Sequence, residues 1–147
     1  MGEVSRCCAS VLDGIKNARA AWWQGLRAQV RAREAMVALV SGDAERSRAL
    51  LGEALQAATG WVERPPLAAV IDATAAYVLD SDPARAAALL GAAHAVRGAF
   101  DESSPDAPGV RAAARSRLGS PEFEGAYQRG RDLSTEEAVA LAGEVLA

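Results

Sequence analysis

The chain of 147 residues is short of almost every side chain that does chemistry. It has one histidine, His94, one lysine, Lys16, one asparagine, Asn17, and two cysteines that are neighbours, Cys7 and Cys8. A lone histidine leaves no second imidazole for a metal site and no spacing signal to a nucleophile, so no Ser/His/Asp set can be argued. Adjacent cysteines without a third cannot form a disulfide framework, and a reducing cytoplasm is the natural compartment. A Gly-x-x-x-x-Gly-Lys phosphate loop is excluded, because Lys16 follows Ile15. No run of 18 or more apolar residues suits a membrane span, and no basic-then-apolar start suits a secretion signal. Aromatics are only 5% of the chain. That scarcity argues against a β-sandwich, whose strands favour aromatic and β-branched side chains.

What is present is alanine, 35 residues of it, within an apolar fraction of 50%. Alanine is the best helix former, and its small side chain lets helices pack closely, so the composition predicts an all-α protein. Length and a net charge of −3 fit a single domain over 1–147. The charge divides unevenly: eight basic and six acidic residues over 1–60 give +2, and eight basic and thirteen acidic over 61–147 give −5. An acidic second half argues against a nucleic-acid surface, which needs a basic face to displace counterions. Fifteen of the sixteen basic residues are arginine, a skew that points to a high-GC bacterial source.

Punctuation predicts helices over 3–17, 20–41, 44–60, 66–80, 83–100, 108–118, 121–129 and 135–146. Asp43 and Asp82-Pro83 are N-cap signals, because a carboxylate accepts the free N–H groups of a first turn and proline lacks the N–H that would be free there. Pro65-Pro66 and Ser120-Pro121 open two more helices, and Gly130 closes the second of them. Ser134-Thr-Glu-Glu137 reads as a capping box. The long polar break is 101–107.

An internal repeat sets the expected architecture. Shifted by 39, Asp43-Ala-Glu-Arg-Ser-Arg-Ala-Leu-Leu-Gly-Glu-Ala54 falls on Asp82-Pro-Ala-Arg-Ala-Ala-Ala-Leu-Leu-Gly-Ala-Ala93, with seven identities in twelve positions. Each unit is a helical hairpin with small residues at the crossings: Ala35, Ala38, Ser47 and Ala54, then Thr74, Ala86 and Ala93. Gly52 and Gly91 recur inside a helix, where glycine costs about 0.5–1 kcal/mol against alanine, and close backbone approach is the expected compensation. The unit resembles the tetratricopeptide helix-turn-helix hairpin, although the spacing exceeds 34 and most aromatic anchors are missing. The resulting expectation is a helix over 1–20, two tetratricopeptide-like hairpins over 21–100, a loop over 101–107 and short capping helices over 108–147.

Three segments carry a further resemblance. Ala88-Leu-Leu-Gly-Ala-Ala-His-Ala-Val-Arg-Gly98, Asp101-Glu-Ser-Ser-Pro-Asp106 and Phe123-Glu-Gly-Ala-Tyr-Gln-Arg-Gly-Arg-Asp-Leu-Ser-Thr-Glu-Glu-Ala-Val-Ala-Leu-Ala142 resemble the C-terminal helical region of antibiotic-regulatory (SARP, AfsR-like) and large LuxR-type bacterial transcriptional regulators. The resemblance covers roughly 30–147. It implies an interaction or sensor region of a transcriptional regulator, lacking the DNA reader and the ATPase that usually accompany it.

Candidate site residues follow from shape rather than reactivity. His94 reads as a structural histidine, one of Cys7 and Cys8 as buried, and the acidic pairs Glu136/Glu137, Asp80/Asp82 and Glu122/Glu124 as charges favoured at helix starts. Of the adjacent Trp22 and Trp23, one ring is expected in the core and the other elsewhere, with a partner surface as the alternative; Trp61 sits at a helix end. If the first helix of each hairpin lines a concave face, Gln29, Arg33, Met36, Ile71 and Ala75 are groove positions. The expected function is therefore a non-catalytic protein-interaction or sensor module with no cofactor. Its expected partners are a protein, other domains of the same regulator, or a second copy covering the open end of a two-repeat array. The alternative is a small-ligand sensor with an apolar pocket between hairpins lined by Trp22 or Trp23, Met36 and Tyr77.

Overall fold

A computed structural model describes residues 2–60 and 64–147, and among these every regular element is a helix. The helices are α1 (Gly2–Val40), α2 (Ala44–Thr59), α3 (Arg64–Val78), α4 (Pro83–Arg97), α5 (Ala107–Leu118), α6 (Ser120–Arg131) and α7 (Thr135–Leu146). The expected all-α class holds. The side chains of Cys7 and Cys8, and all of Trp61, lie outside the described residues.

The first two predicted helices are one. α1 runs unbroken for 39 residues, and no boundary falls near residue 20. Gly14 lowers helix propensity, but no proline or cap follows to end the helix. α1 then turns back at Ser41-Gly42-Asp43, where Gly42 takes a left-handed φ of 83° and the Asp43 side chain accepts the Arg46 N–H at 3.0 Å. α3 and α4 meet at an equivalent device, with the Asp82 side chain accepting the Arg85 N–H at 2.9 Å. Ser134 and Glu137 form the full capping box at the start of α7.

The core is built from small side chains at the crossings. Ala35, Ala38, Ser47, Ala54, Thr74, Ala86 and Ala93 are all buried, as the repeat requires. On α1 the packed stripe is Gly25, Ala28, Ala32, Ala35 and Ala38, at spacings of three and four, which lays small residues against α2 and α3. α5, α6 and α7 close over the second hairpin, and α7 also reaches α2. Phe123, Ala87, Ala114 and Ala126 form a satellite cluster there. Arg48 donates to the carbonyls of Leu146 and Ala147 at 3.2 and 2.9 Å, tying the last residues to α2.

Gly130 does not close a helix. It lies inside α6, where its backbone and that of Gly91 in α4 come together. Gly52, the repeat counterpart of Gly91, has nothing within 4 Å of where a Cβ would stand. The close approach expected of both repeat glycines therefore occurs at one of them, and its partner is α6.

Candidate functional site

Over 21–40 the buried residues of α1 are all glycine or alanine, and most of its large apolar side chains are exposed. Among the described residues every exposed large hydrophobic lies on this helix: Ile15, Trp22, Trp23, Leu26, Val30, Val37 and Val40. Leu26, Val30 and Val37 form one wall of a cleft of about 830 Å³. Its floor is α3, through Pro65, Ala69, Asp72 and Ala73, and its far side is the end of α4 and the following loop, through Arg97, Asp101, Ser104 and Asp106.

Two ion pairs shape the cleft. Arg33 of α1 reaches Asp106 at 2.7 Å, linking the apolar wall to the loop before α5. Arg97 of α4 meets Asp72 of α3 at 2.7 Å, with the Asp72 side chain only 7% exposed. Burial pushes the Asp72 carboxyl above the usual range, and the hydrogen bond and charge of Arg97 work against that rise. Asp101 is held below its usual value chiefly by the Ser103 hydroxyl, which donates to it at 2.6 Å. The cleft thus sets an apolar wall on α1 opposite charged side chains from α3, α4 and the loop before α5.

Of the expected site residues, Gln29, Arg33 and Met36 line this cleft. Ile71 and Ala75 do not, since both are fully buried in the core. α3 offers the cleft Pro65, Ala69, Asp72 and Ala73, while Ile71 and Ala75 are buried among the helices packed around it, α1, α2, α4, α5 and α7. Tyr77 is half-buried against the core, away from the cleft lining. Trp22 and Trp23 are 57% and 59% exposed, so neither ring enters the core. They meet edge to face at 5.2 Å and, with Ile15, Ala18 and Arg19, line a separate shallow hollow. The pocket expected from Trp22 or Trp23, Met36 and Tyr77 is thus not formed. Sequence reasoning missed Val30 and Val37, whose spacing from Leu26 was the available signal, and the loop wall, for which the sequence offered none.

His94 stands outside the cleft, on α4 facing α6. Its Nδ1 shares a 2.7 Å hydrogen bond with the Tyr127 hydroxyl. Burial, followed by the charges of Arg131 and Arg97, lowers its pKa. Among the described residues no group of three His, Cys, Asp or Glu side chains is placed to hold a metal ion, and no helix is long and apolar enough to cross a membrane. The chain matches no protein-family model, no curated protein and no solved structure.

Proposed function

We propose that this chain is a non-catalytic protein-interaction module of a bacterial transcriptional regulator, working in the cytoplasm, in which the exposed face of α1 and the cleft beside it receive a helical segment of a partner. In this reading the α1–α2 and α3–α4 hairpins are tetratricopeptide-like, which the internal repeat and the equivalent Asp43 and Asp82 caps support. The regulator context rests on the resemblance of 88–98, 101–106 and 123–142 to the C-terminal region of such proteins.

One observation carries the interaction reading. The exposed face of α1 carries large apolar side chains from Val40, through the cleft wall, to Trp22 and Trp23 beyond it, with Arg33, paired to Asp106, set among them. From Trp22 to Val40 is roughly 27 Å at 1.5 Å per residue. A small molecule needs enclosure over most of its surface, whereas a strip of this length on one helix suits a second helix. The volume of the cleft, about 830 Å³, keeps a small-ligand sensor as the second reading.

Selection of helix-forming peptides against the chain, run beside a thermal-shift screen of small apolar molecules, separates the two. Peptide binders that are lost in Val37→Glu support the interaction module. Stabilisation by a small molecule, with no peptide binder recovered, overturns it in favour of the sensor.

A further inference from the structure

α1 has two seams, and only one is used. Beside the packed stripe of small residues runs a second stripe: Trp23, Leu26, Val30, Arg33, Val37 and Val40. Its spacing is 3-4-3-4-3, a strict heptad pattern, and Arg19 extends it by one further step. Trp23, Leu26, Val30, Arg33 and Val37 each lie two positions from a member of the packed one. At 100° per residue the two seams therefore stand about 160° apart, on nearly opposite faces of the helix. The 3.5-residue period matters, because it keeps a seam in register with a partner helix over many turns, whereas a surface of scattered apolar residues drifts away from it.

We infer that the occupant of this seam is the α1 helix of a second copy of the chain, packed antiparallel to form a homodimer. The inference rests on the reading of the cleft as a protein-interaction site. Among the described residues α1 is the helix that presents an unpaired heptad seam, so the surface is complementary to itself. Charge fixes the direction. In a parallel pair Arg33 would face Arg33, and Arg19 would face Arg19, setting like charges into the seam. The antiparallel register that pairs positions summing to 63 avoids both. It sets Trp23 against Val40, Leu26 against Val37 and Val30 against Arg33, and each layer occurs twice by symmetry. In that register Arg33 faces an apolar side chain while it keeps its contact to Asp106 of its own chain at 2.7 Å. The overlap spans residues 23–40 of both helices, roughly 27 Å. It also carries the paired tryptophans of each copy to the Val37–Ser41 end of the other copy's cleft.

Two measurements on the full chain test this. In sedimentation equilibrium from low micromolar to near-millimolar concentration, the chain is expected to reach twice its monomer mass. Leu26→Glu with Val30→Glu is expected to remain at monomer mass with unchanged helicity, both positions being exposed. For direction, Leu26→Cys and Val37→Cys are made in separate Cys7→Ser, Cys8→Ser chains and oxidised alone and mixed. The antiparallel register predicts a cross-link in the mixture and little in either chain alone. A monomer at every concentration, or Leu26→Cys cross-linking to itself as strongly as to Val37→Cys, overturns the inference. A chain that stays monomeric yet still binds selected helical peptides at Val37 shows that the seam serves a different protein, and the interaction reading then stands alone. A monomer that binds no peptide overturns both.

Discussion

Gly91 of α4 and Gly130 of α6 face each other where their helices cross. A Cβ on Gly91 would overlap the carbonyl oxygen of Tyr127 and lie 2.9 Å from its carbon, and one on Gly130 would overlap the carbonyl oxygen of Ala88 and lie 2.7 Å from its carbon. The obstacles are backbone atoms, which cannot swing aside as a side chain would. Each glycine thus sets the distance at which the other's helix packs, and the contact joins the second hairpin to the C-terminal helices.

Substitution at the repeat glycines is expected to have opposite signs. Gly91→Ala and Gly130→Ala force α4 and α6 apart and should each destabilise by about 1–3 kcal/mol or more, the range for overpacking a tight site. Gly52→Ala meets open space inside α2 and should stabilise by about 0.5–1 kcal/mol through helix propensity. Urea unfolding of the three variants checks this, and a destabilising Gly52→Ala would mean that α2 has a close neighbour at that position.

The local devices were legible because each is written within a few residues. Asp43, Asp82 and the Ser134–Glu137 box cap the helices they were assigned to, and α5 to α7 begin within one residue of expectation. Signals with two physical meanings were not. A glycine late in a helix can end it or let another helix approach, and at Gly130 the second meaning applies. Apolar residues on both faces of α1 do not say which face is inside. Here size decides, because the close crossing with α2 accepts alanine and glycine while Trp23, Leu26 and Val30 are left outside. The far wall of the cleft, 97–106, was illegible because its position is set by packing remote in sequence.

That inversion makes a test at the tryptophans. Trp22→Ala and Trp23→Ala, measured by chemical denaturation at low protein concentration where self-association is absent, should change stability by no more than about 0.5 kcal/mol, as surface substitutions do. Phe123→Ala, by contrast, empties a site that is 1% exposed and should cost about 3–5 kcal/mol. A loss of that size at either tryptophan would return its ring to the core.

Tyr127 couples the satellite cluster to the only imidazole, stacking on Phe123 at 5.6 Å while bonding His94. The folded protein holds the His94 pKa below the ordinary imidazole value, so the unfolded chain binds that proton first as pH falls. The stability tied to neutral His94 is whole above the unfolded imidazole pKa of about 6.5 and is lost as pH falls through the lower folded value. Denaturation midpoints should therefore decline from about pH 7.5 to about pH 5 in the native chain and decline less in His94→Gln. Asp101 and Glu137, whose pKa values are lowered, contribute in the same direction only in the more acidic carboxylate range. A decline of equal size in His94→Gln would assign the titration to another group.

The pair beneath the cleft obeys the opposite sign. Asp72 is buried, and its carboxyl is raised above the usual value even with Arg97 beside it. In Arg97→Met the carboxylate loses its hydrogen-bond donor and its counter-charge together, which should cost about 3–5 kcal/mol near neutral pH, as when a buried pair loses one member. Without the guanidinium the folded pKa of Asp72 rises further. The group's contribution is whole below its unfolded pKa and is lost as pH rises through the folded one. The variant should therefore regain stability relative to the native chain on acidification, when Asp72 enters the folded state protonated. Adding Asp72→Leu to Arg97→Met should recover most of the loss at neutral pH, because the core then holds two apolar groups and no unpaired charge. Urea unfolding of both variants across pH measures the effect. A single variant whose deficit stays constant with pH would show that Arg97 acts through its packing in the cleft and not through the charge of Asp72.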